Sequence, residues 1–388
     1  MNLVRDRRAL VALVAALGLA FLASHVFSWT EPKAATAAGP GIRVRLLGEP
    51  KLFTIDGSIE PMAEVGRELR PPIEVRTQSN GLLLIDTTGP VVLDQDKLRL
   101  SWSGRATLRY DSNGTRRETS QIGALQVAKR GDKLLLILHL DFELYVTGVV
   151  AAEVGGRFPL EALKAQAVAA RGYALSAQRR RRDRSWDVRA SPADQAFVAP
   201  SDEPAVVRAV RATTGLYLSW QGLPLRSYYH STCGGRTRDG RECFGDVPAA
   251  PFASQYCNAC RTAPRFRWQR TLDHAGLRTL CATGNTVSLQ PKTRSARGDW
   301  RTFGASGGGT TTEHYIRRLM RLAQLPSPWI DHVEPTASGV TIFGHGFGHG
   351  VGLCQYGAAA RARSGWNHRR ILQHYYPGAE LSTLRAAQ

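Results

Sequence analysis

The chain has 388 residues, 43% hydrophobic and 21% charged, which excludes a disordered protein and leaves room for one large domain or two ordinary ones. Its formal net charge is +19, with arginine the commoner basic residue. A balance this basic calls for an anionic partner: nucleic acid, a membrane surface or an acidic polymer.

The N-terminus narrows that choice. Arg5, Arg7 and Arg8 precede Ala9–Thr30, a stretch without Asp, Glu, Lys or Arg. It is long enough to span a bilayer, and the basic flank orients its start towards the cytoplasm. A cleaved secretory signal is the rival reading, although the A-x-A at Ala35-Thr36-Ala37 lies rather far downstream. Both readings export the remainder, anchored facing the periplasm or cell wall, or secreted. Export argues against a nucleic-acid partner. Glu31–Pro40 reads as a linker, so residues 1–40 form the anchor or signal segment with its linker.

From Ile42 to about Leu140 the pattern is short strands (IRVRLL, GLLLID, VVLD, KLRLSW, ATLRY, KLLLILHL) between Gly, Asp, Asn and Ser clusters. Residues 41–145 are therefore predicted to be β-rich. Residues 146–388 carry the helices and the chemistry. The expected fold is α+β, with a β-rich N-terminal half packed with a helix-containing C-terminal half around a groove.

Val146–Leu175 is the stretch around which the rest is organised. Glu153 lies among Val149, Val150, Ala151, Ala152 and Val154, before a break at Gly155-Gly156. Pro159 then opens a helix in which Leu160, Leu163, Ala167, Ala170 and Ala174 recur at helical spacing. A carboxylate on an apolar segment is paired, exposed at an edge, or kept partly protonated by desolvation. The last state is what a general acid needs. The bland alternative is an ion pair with Arg157 or Arg171. The helix runs into Arg179–Arg182, which reads as a solvated end suited to the helix dipole.

Ser201–Pro204 reads as a capped helix start. LYLSW and LRSYYHS then form a predicted hairpin that ends at His230–Gly235. Cys233, Cys243, Cys257 and Cys260 follow, with His230 nearby. They could hold a tetrahedral zinc or, in an exported protein, form two disulfides; the CxxC spacing of Cys257 and Cys260 favours structural zinc. Cys281 and Cys354 read as small buried side chains. In Phe266–Thr341, LDHAGLRTLCA and TTEHYIRRLMRLAQL are predicted helices. Gly344–Gly352 has glycine at every second position. If extended, its glycines face one way and His345, Phe347, His349 and Val351 the other, leaving a bare face for a sugar or a backbone. His345 reads as a packed histidine. Two helices close the chain, one over Gln355–Ser364 and one ending at core tyrosines Tyr375 and Tyr376.

Three of these segments resemble the sporulation stage II protein D family, which includes amidase enhancers. They are GVVAAEV…FPLEALKAQAVAARGYAL, SYYHSTCGGRT and GFGHGVGLCQYGAAARARSG…ILQHYYPG, in the family's order across most of Ile42–Leu381. The resemblance implies a lytic transglycosylase acting on peptidoglycan glycan strands. Such an enzyme cleaves the MurNAc–GlcNAc bond of peptide-stripped glycan with 1,6-anhydroMurNAc formation. Glu153 matches the essential acid, and one carboxylate would serve in two roles, unlike the paired carboxylates of most hydrolases. Arg171, His230, Ser231, His349 and Gln355 are the expected substrate contacts. Some relatives are thought to bind a metal near the cysteines, with a variable ligand pattern, and Cys354 stands where many carry Ser. The lactyl carboxylates of stripped glycan suit the basic chain. The alternative is a non-catalytic glycan-binding module that enhances a cell-wall amidase.

Overall fold

The structure is a computed structural model that describes residues 41–281, 289–294, 300–305 and 319–384. The apolar segment 9–30, its linker and most of the helix expected over 311–325 lie outside the described residues. No described helix is long and apolar enough to cross a membrane.

The fold is α+β, with the β-rich N-terminal half expected. Strands β1 (Ile42–Arg45), β2 (Leu52–Ile59), β3 (Ile73–Gln78), β4 (Gly81–Asp86), β5 (Gly89–Leu93), β6 (Lys97–Ser112), β7 (Thr115–Gln121), β8 (Ala124–Arg130) and β9 (Lys133–Leu140) follow one another. Alternation drives them: Phe53 and Ile55, Ile73 and Val75, and Leu82 and Leu84 are buried at every second position. With β10 (Val188–Arg189), the sheet runs β10-β1-β9-β8-β6-β2-β3-β4-β5, and β7 pairs with β6. The long β6 joins its two parts, pairing with β8 through Lys97–Ser101 and with β2 through Trp102–Tyr110.

Two helices connect this sheet to the second half. Helix α1 (Phe142–Val154) starts where the Asp141 carboxylate accepts the Glu143 and Leu144 N–H groups, and stops at Gly155. Helix α2 (Leu160–Arg180) follows Pro159 and is buried without a break from Ala165 to Ala177. Leu163, Ala167, Ala170 and Ala174 face the sheet core, while Ala162, Ala165, Val168, Ala169 and Tyr173 face a second core. The helix thus buries two faces rather than the single face its spacing predicts. Its many alanines allow both layers to approach.

Helix α3 (Pro204–Arg211) begins after Glu203, so Ser201 lies ahead of the cap position expected of it. The predicted hairpin is shorter than its sequence suggests. Only β11 (Leu216–Trp220) and β12 (Leu223–Pro224) pair, turning on Gln221 and Gly222 at positive φ. The next strand, β13 (Tyr229–His230), leaves to pair in parallel with a short strand at Leu353–Cys354. Helix α4 (Gly240–Phe244) follows.

The region predicted as two helices is mainly an antiparallel sheet. It contains β14 (Arg267–Asp273), β15 (Leu289–Arg294), β16 (Trp300–Ala305), β17 (Ile330–Thr336) and β18 (Gly339–His345), in the order β14-β18-β17-β16-β15. Helix α5 (His274–Cys281) realises the first predicted helix, and residues 319–322, the described part of the second, are helical too. After β18 the glycine-rich segment is not extended. Gly346, Gly348, Gly350 and Gly352 have φ of 77, 94, 78 and 70°, so the backbone winds through left-handed turns open to glycine. The chain then enters β19 (Leu353–Cys354), α6 (Gln355–Arg363), α7 (His368–Tyr375) and β20 (Glu380–Thr383), which pairs with β11. Tyr375 and Tyr376 are buried, as their core reading expects.

Candidate active site

The last turn of α1, the β13–β19 pair and the wound glycine segment enclose a cavity of about 570 Å³, a size suited to a small ligand or a sugar unit. Glu153, His230, Ser231, His349 and Gln355 all line it. Five residues spread over two hundred positions of chain meet because β13 pairs in parallel with β19 (Tyr229 opposite Leu353, His230 opposite Cys354).

Glu153 is the electrostatic centre of this cavity. Its Oε1 accepts the Ala196 N–H at 2.8 Å and the Tyr229 hydroxyl at 3.4 Å. Burial pushes its carboxyl above the ordinary value, against hydrogen bonds from Ala196, Tyr229 and Gln355. Its place at the C-terminal, negative pole of α1 also disfavours the charged form. No cation bonds it, so the ion pairs weighed for it with Arg157 and Arg171 do not form among the described contacts. Behind it, Gln195 donates to the Tyr229 hydroxyl and accepts from the Tyr145 hydroxyl, both at 3.0 Å.

Arg171 is a correction. It is fully buried in α2 and does not line the cavity. Its Nη2 donates to Glu143 at 2.6 Å and to the Val210 carbonyl at 2.9 Å; Nη1 donates to Thr213 and to the Leu216 carbonyl, and Nε to both Glu143 oxygens. It holds α1, α2, α3 and β11 together and has no donor left for a substrate.

The histidines divide the work differently from expectation. His230 Nδ1 faces the Val351 carbonyl at 3.1 Å, so it carries the proton and Nε2 presents a lone pair. That Nε2 is buried without a protein partner, and burial pushes the ring pKa down to about 4, keeping it neutral. His349 Nδ1 accepts the Val351 N–H at 3.1 Å. Burial pushes its pKa down to about 3. With Nδ1 committed to the backbone, His349 lines the cavity with the rest of its ring. Gln355 lies between Glu153 and the Gln166 side chain. The Ser231 carbonyl accepts the Tyr356 N–H, which fixes the start of α6. His345, read as packed, bonds Asp331 at 2.7 Å.

Several lining residues escaped the sequence reading. Tyr228 and Phe244 stack at 4.2 Å, and Phe244 and Phe347 are both exposed at the rim. Arg226 lies over Tyr228 at 4.9 Å. Asp194 is the other carboxylate of the lining; Arg181 donates to both its oxygens at 2.9 Å, so it is committed to an ion pair. Glu161, although partly desolvated, receives Lys164 and His368 and is held down at about 2, permanently charged at neutral pH. The signal for Tyr228 and Tyr229 was present in SYYHS, but nothing local told cavity from core.

The cysteines regroup. Sγ atoms of Cys233, Cys257, Cys260 and Cys354 all lie within 4.8 Å of one another, and all four residues are buried free thiols. Cys243 stands apart in α4, with its Sγ near the His349 carbonyl. Cys354, read as an isolated small side chain, is therefore the fourth member in place of Cys243. Four sulfurs at this separation suit a tetrahedral soft cation, whose ligand atoms stand about 3.8 Å apart for bonds of about 2.3 Å.

Comparison with known proteins gives a match of residues 130–220 to the model described as stage II sporulation protein, SpoIID. That segment contains Glu153 and α2; the histidine and glycine motifs lie beyond it. An uncharacterized protein of Brachyspira hyodysenteriae is 28% identical over 264 residues, covering 67% of this chain and 71% of that protein. Stage II sporulation protein D of Bacillus amyloliquefaciens is 28% identical over 272 residues, covering 63% and 75%. The amidase enhancer of Bacillus subtilis is 25% identical over 292 residues, covering 61% of this chain and 40% of the enhancer.

Proposed function

For a chain that carries a stage II sporulation protein D domain, we propose that the cavity cleaves the MurNAc–GlcNAc bond of peptidoglycan glycan strands as a lytic transglycosylase, with Glu153 as its acid and base. The observation that carries this reading is a half-buried carboxyl with a raised pKa, held by the Ala196 N–H and bonded to no cation among the described residues. Ala196 and Tyr229 both donate to Oε1, which leaves Oε2 the better placed to hold the proton of the neutral form. Protonated Glu153 gives that proton to the glycosidic oxygen as the C1–O bond breaks. The carboxylate then takes the proton of the MurNAc 6-hydroxyl as its oxygen closes on C1. No water is consumed, and the carboxyl ends as it began. A partner carboxylate is not needed, which suits a cavity whose other acid, Asp194, is tied to Arg181.

The remaining wall suits a glycan. The Tyr228–Phe244 stack can support a ring face, and Arg226 can face a lactyl carboxylate. The name of the amidase-enhancer relative supports a cell-wall setting and motivates the second reading, a glycan-binding module that assists an amidase. Export with an N-terminal anchor belongs to the same proposal.

Incubating wild type and Glu153→Gln with peptide-stripped glycan, and counting anhydro ends by mass spectrometry, separates the readings. Loss of about 10²–10⁴-fold in the variant is expected. Equal yields from both proteins would remove Glu153 from the chemistry. Glycan binding without any anhydro ends from wild type would favour the module.

A further inference from the structure

The four clustered cysteines come from three separate places: the turn after β13, the single helical turn Asn258–Cys260 with Cys257 as its cap, and the strand β19 that leads into α6. All are essentially inaccessible, at 1% exposure or less. A packed core does not ordinarily gather four thiols around one point, since each sulfur can neighbour any apolar side chain equally well.

Their surroundings are those of thiolate ligands. Cys354 caps α6, and its Sγ accepts the Gly357 N–H at 3.4 Å, where the helix N-terminus favours negative charge. The Tyr375 hydroxyl lies 3.0 Å from Cys257 Sγ, placed to donate to it in the way outer groups support metal ligands. Gly357 leaves the space open: a Cβ there would collide with the Tyr375 hydroxyl and stand 2.6 Å from Cys257 Sγ.

We infer that Cys233, Cys257, Cys260 and Cys354 bind one soft divalent cation, zinc or ferrous iron, as four thiolates in tetrahedral geometry. The cation clamps β13 to β19. Cys233 lies three residues beyond His230, and Cys354 immediately precedes Gln355, so two polar walls of the cavity are fixed from behind by one centre. Binding releases the thiol protons to solvent and involves no redox change. This site does not depend on what reaction the cavity performs.

The full chain, purified without chelator and then reconstituted with zinc under reducing conditions, is expected to carry about one metal per chain by elemental mass spectrometry. Thiolate-to-iron charge-transfer absorption in the near ultraviolet marks the ferrous arm. Peptide mapping after maleimide treatment is expected to label Cys243 at once, and the four clustered cysteines after the metal is chelated. Cys243→Ser is expected to keep the metal. Cys354→Ser and Gly357→Leu are expected to lose most of it, and the wild-type labelling stands even should these fold poorly. On metal release, amide exchange at Leu353 and Tyr356, which bond the Tyr228 and Ser231 carbonyls, is expected to speed about tenfold or more. Folded wild type without metal after reconstitution, disulfides among the four, or loss of metal in Cys243→Ser would overturn the site. Unchanged exchange on metal release would overturn the clamp.

Discussion

Glu143 and Glu153 sit at opposite ends of the same helix, and both are drawn out of water. Glu143, in the first turn of α1, meets the fully buried guanidinium of Arg171 and the Gly215 N–H. It also enjoys the positive pole of the helix. Glu153, in the last turn, meets neutral donors and the negative pole instead. One end therefore holds a committed carboxylate that ties helices together. The other holds a carboxyl whose proton is easily kept and easily exchanged. The chain supplies a cation where the fold needs a charge and withholds it where a proton is needed.

The strongest way to break this contrast is Arg171→Met. If Arg171 is structural, leaving Glu143 unpaired costs about 3–5 kcal/mol, read as a large fall in the urea midpoint, while glycan affinity of the folded fraction stays put. A variant with wild-type stability and lost glycan affinity would return Arg171 to the cavity. Tyr229→Phe sharpens the other end. Removing its hydroxyl strips a donor from Glu153 and an acceptor from Gln195, at a cost of about 1–3 kcal/mol in stability. With one lowering influence gone, the carboxyl titrates higher still. The alkaline limb of the pH–rate profile is expected to move upward; a downward shift would refute the assignment of that donor.

The subtlest effect is on stability. The Glu153 carboxyl is raised above its ordinary value of 4.5, so the native state binds this proton more tightly than the unfolded state does. Native stability from this group accordingly falls as pH climbs from the ordinary carboxylate value through the folded one, and is unaffected well below both. Glu153→Gln, which mimics the neutral form, should raise Tm near neutral pH and leave it unchanged at about pH 3. A Tm that drops at neutral pH would mean the charge is stabilised after all.

Much of the frame was legible locally. The strand segments at β1, β4, β5, β6 and β9 were legible as short apolar runs between turn residues, whereas β2, β3, β7 and β8 were not; α2 follows from its alanines, its entry at Pro159 and its arginine end. Glu153 stood out because a carboxylate among valines and alanines has few ordinary explanations. Other features were hidden for identifiable reasons. Arg171 looks like any helix arginine until Glu143, Val210, Thr213 and Leu216 are brought around it. The alternating glycines have the spacing of a strand, yet four consecutive ones at positive φ make turns. Cys243 is nearer in sequence to the other cysteines than Cys354 is, and sequence distance misled the grouping.

By itself the sequence determined an α+β chain with a β-rich first half, a family resemblance later met by the SpoIID match, and a lone acid just ahead of an alanine-rich helix. Those features rest on periodicity, on turn residues and on motif order, which are properties of neighbouring positions. Tertiary structure alone decided which charges are neutralised, which histidine keeps a free nitrogen and which four cysteines meet. Each of these depends on the parallel pairing of β13 with β19 and on layers packed against both sides of α2. Long-range pairing leaves no periodic trace in either partner, so only the folded chain reveals it.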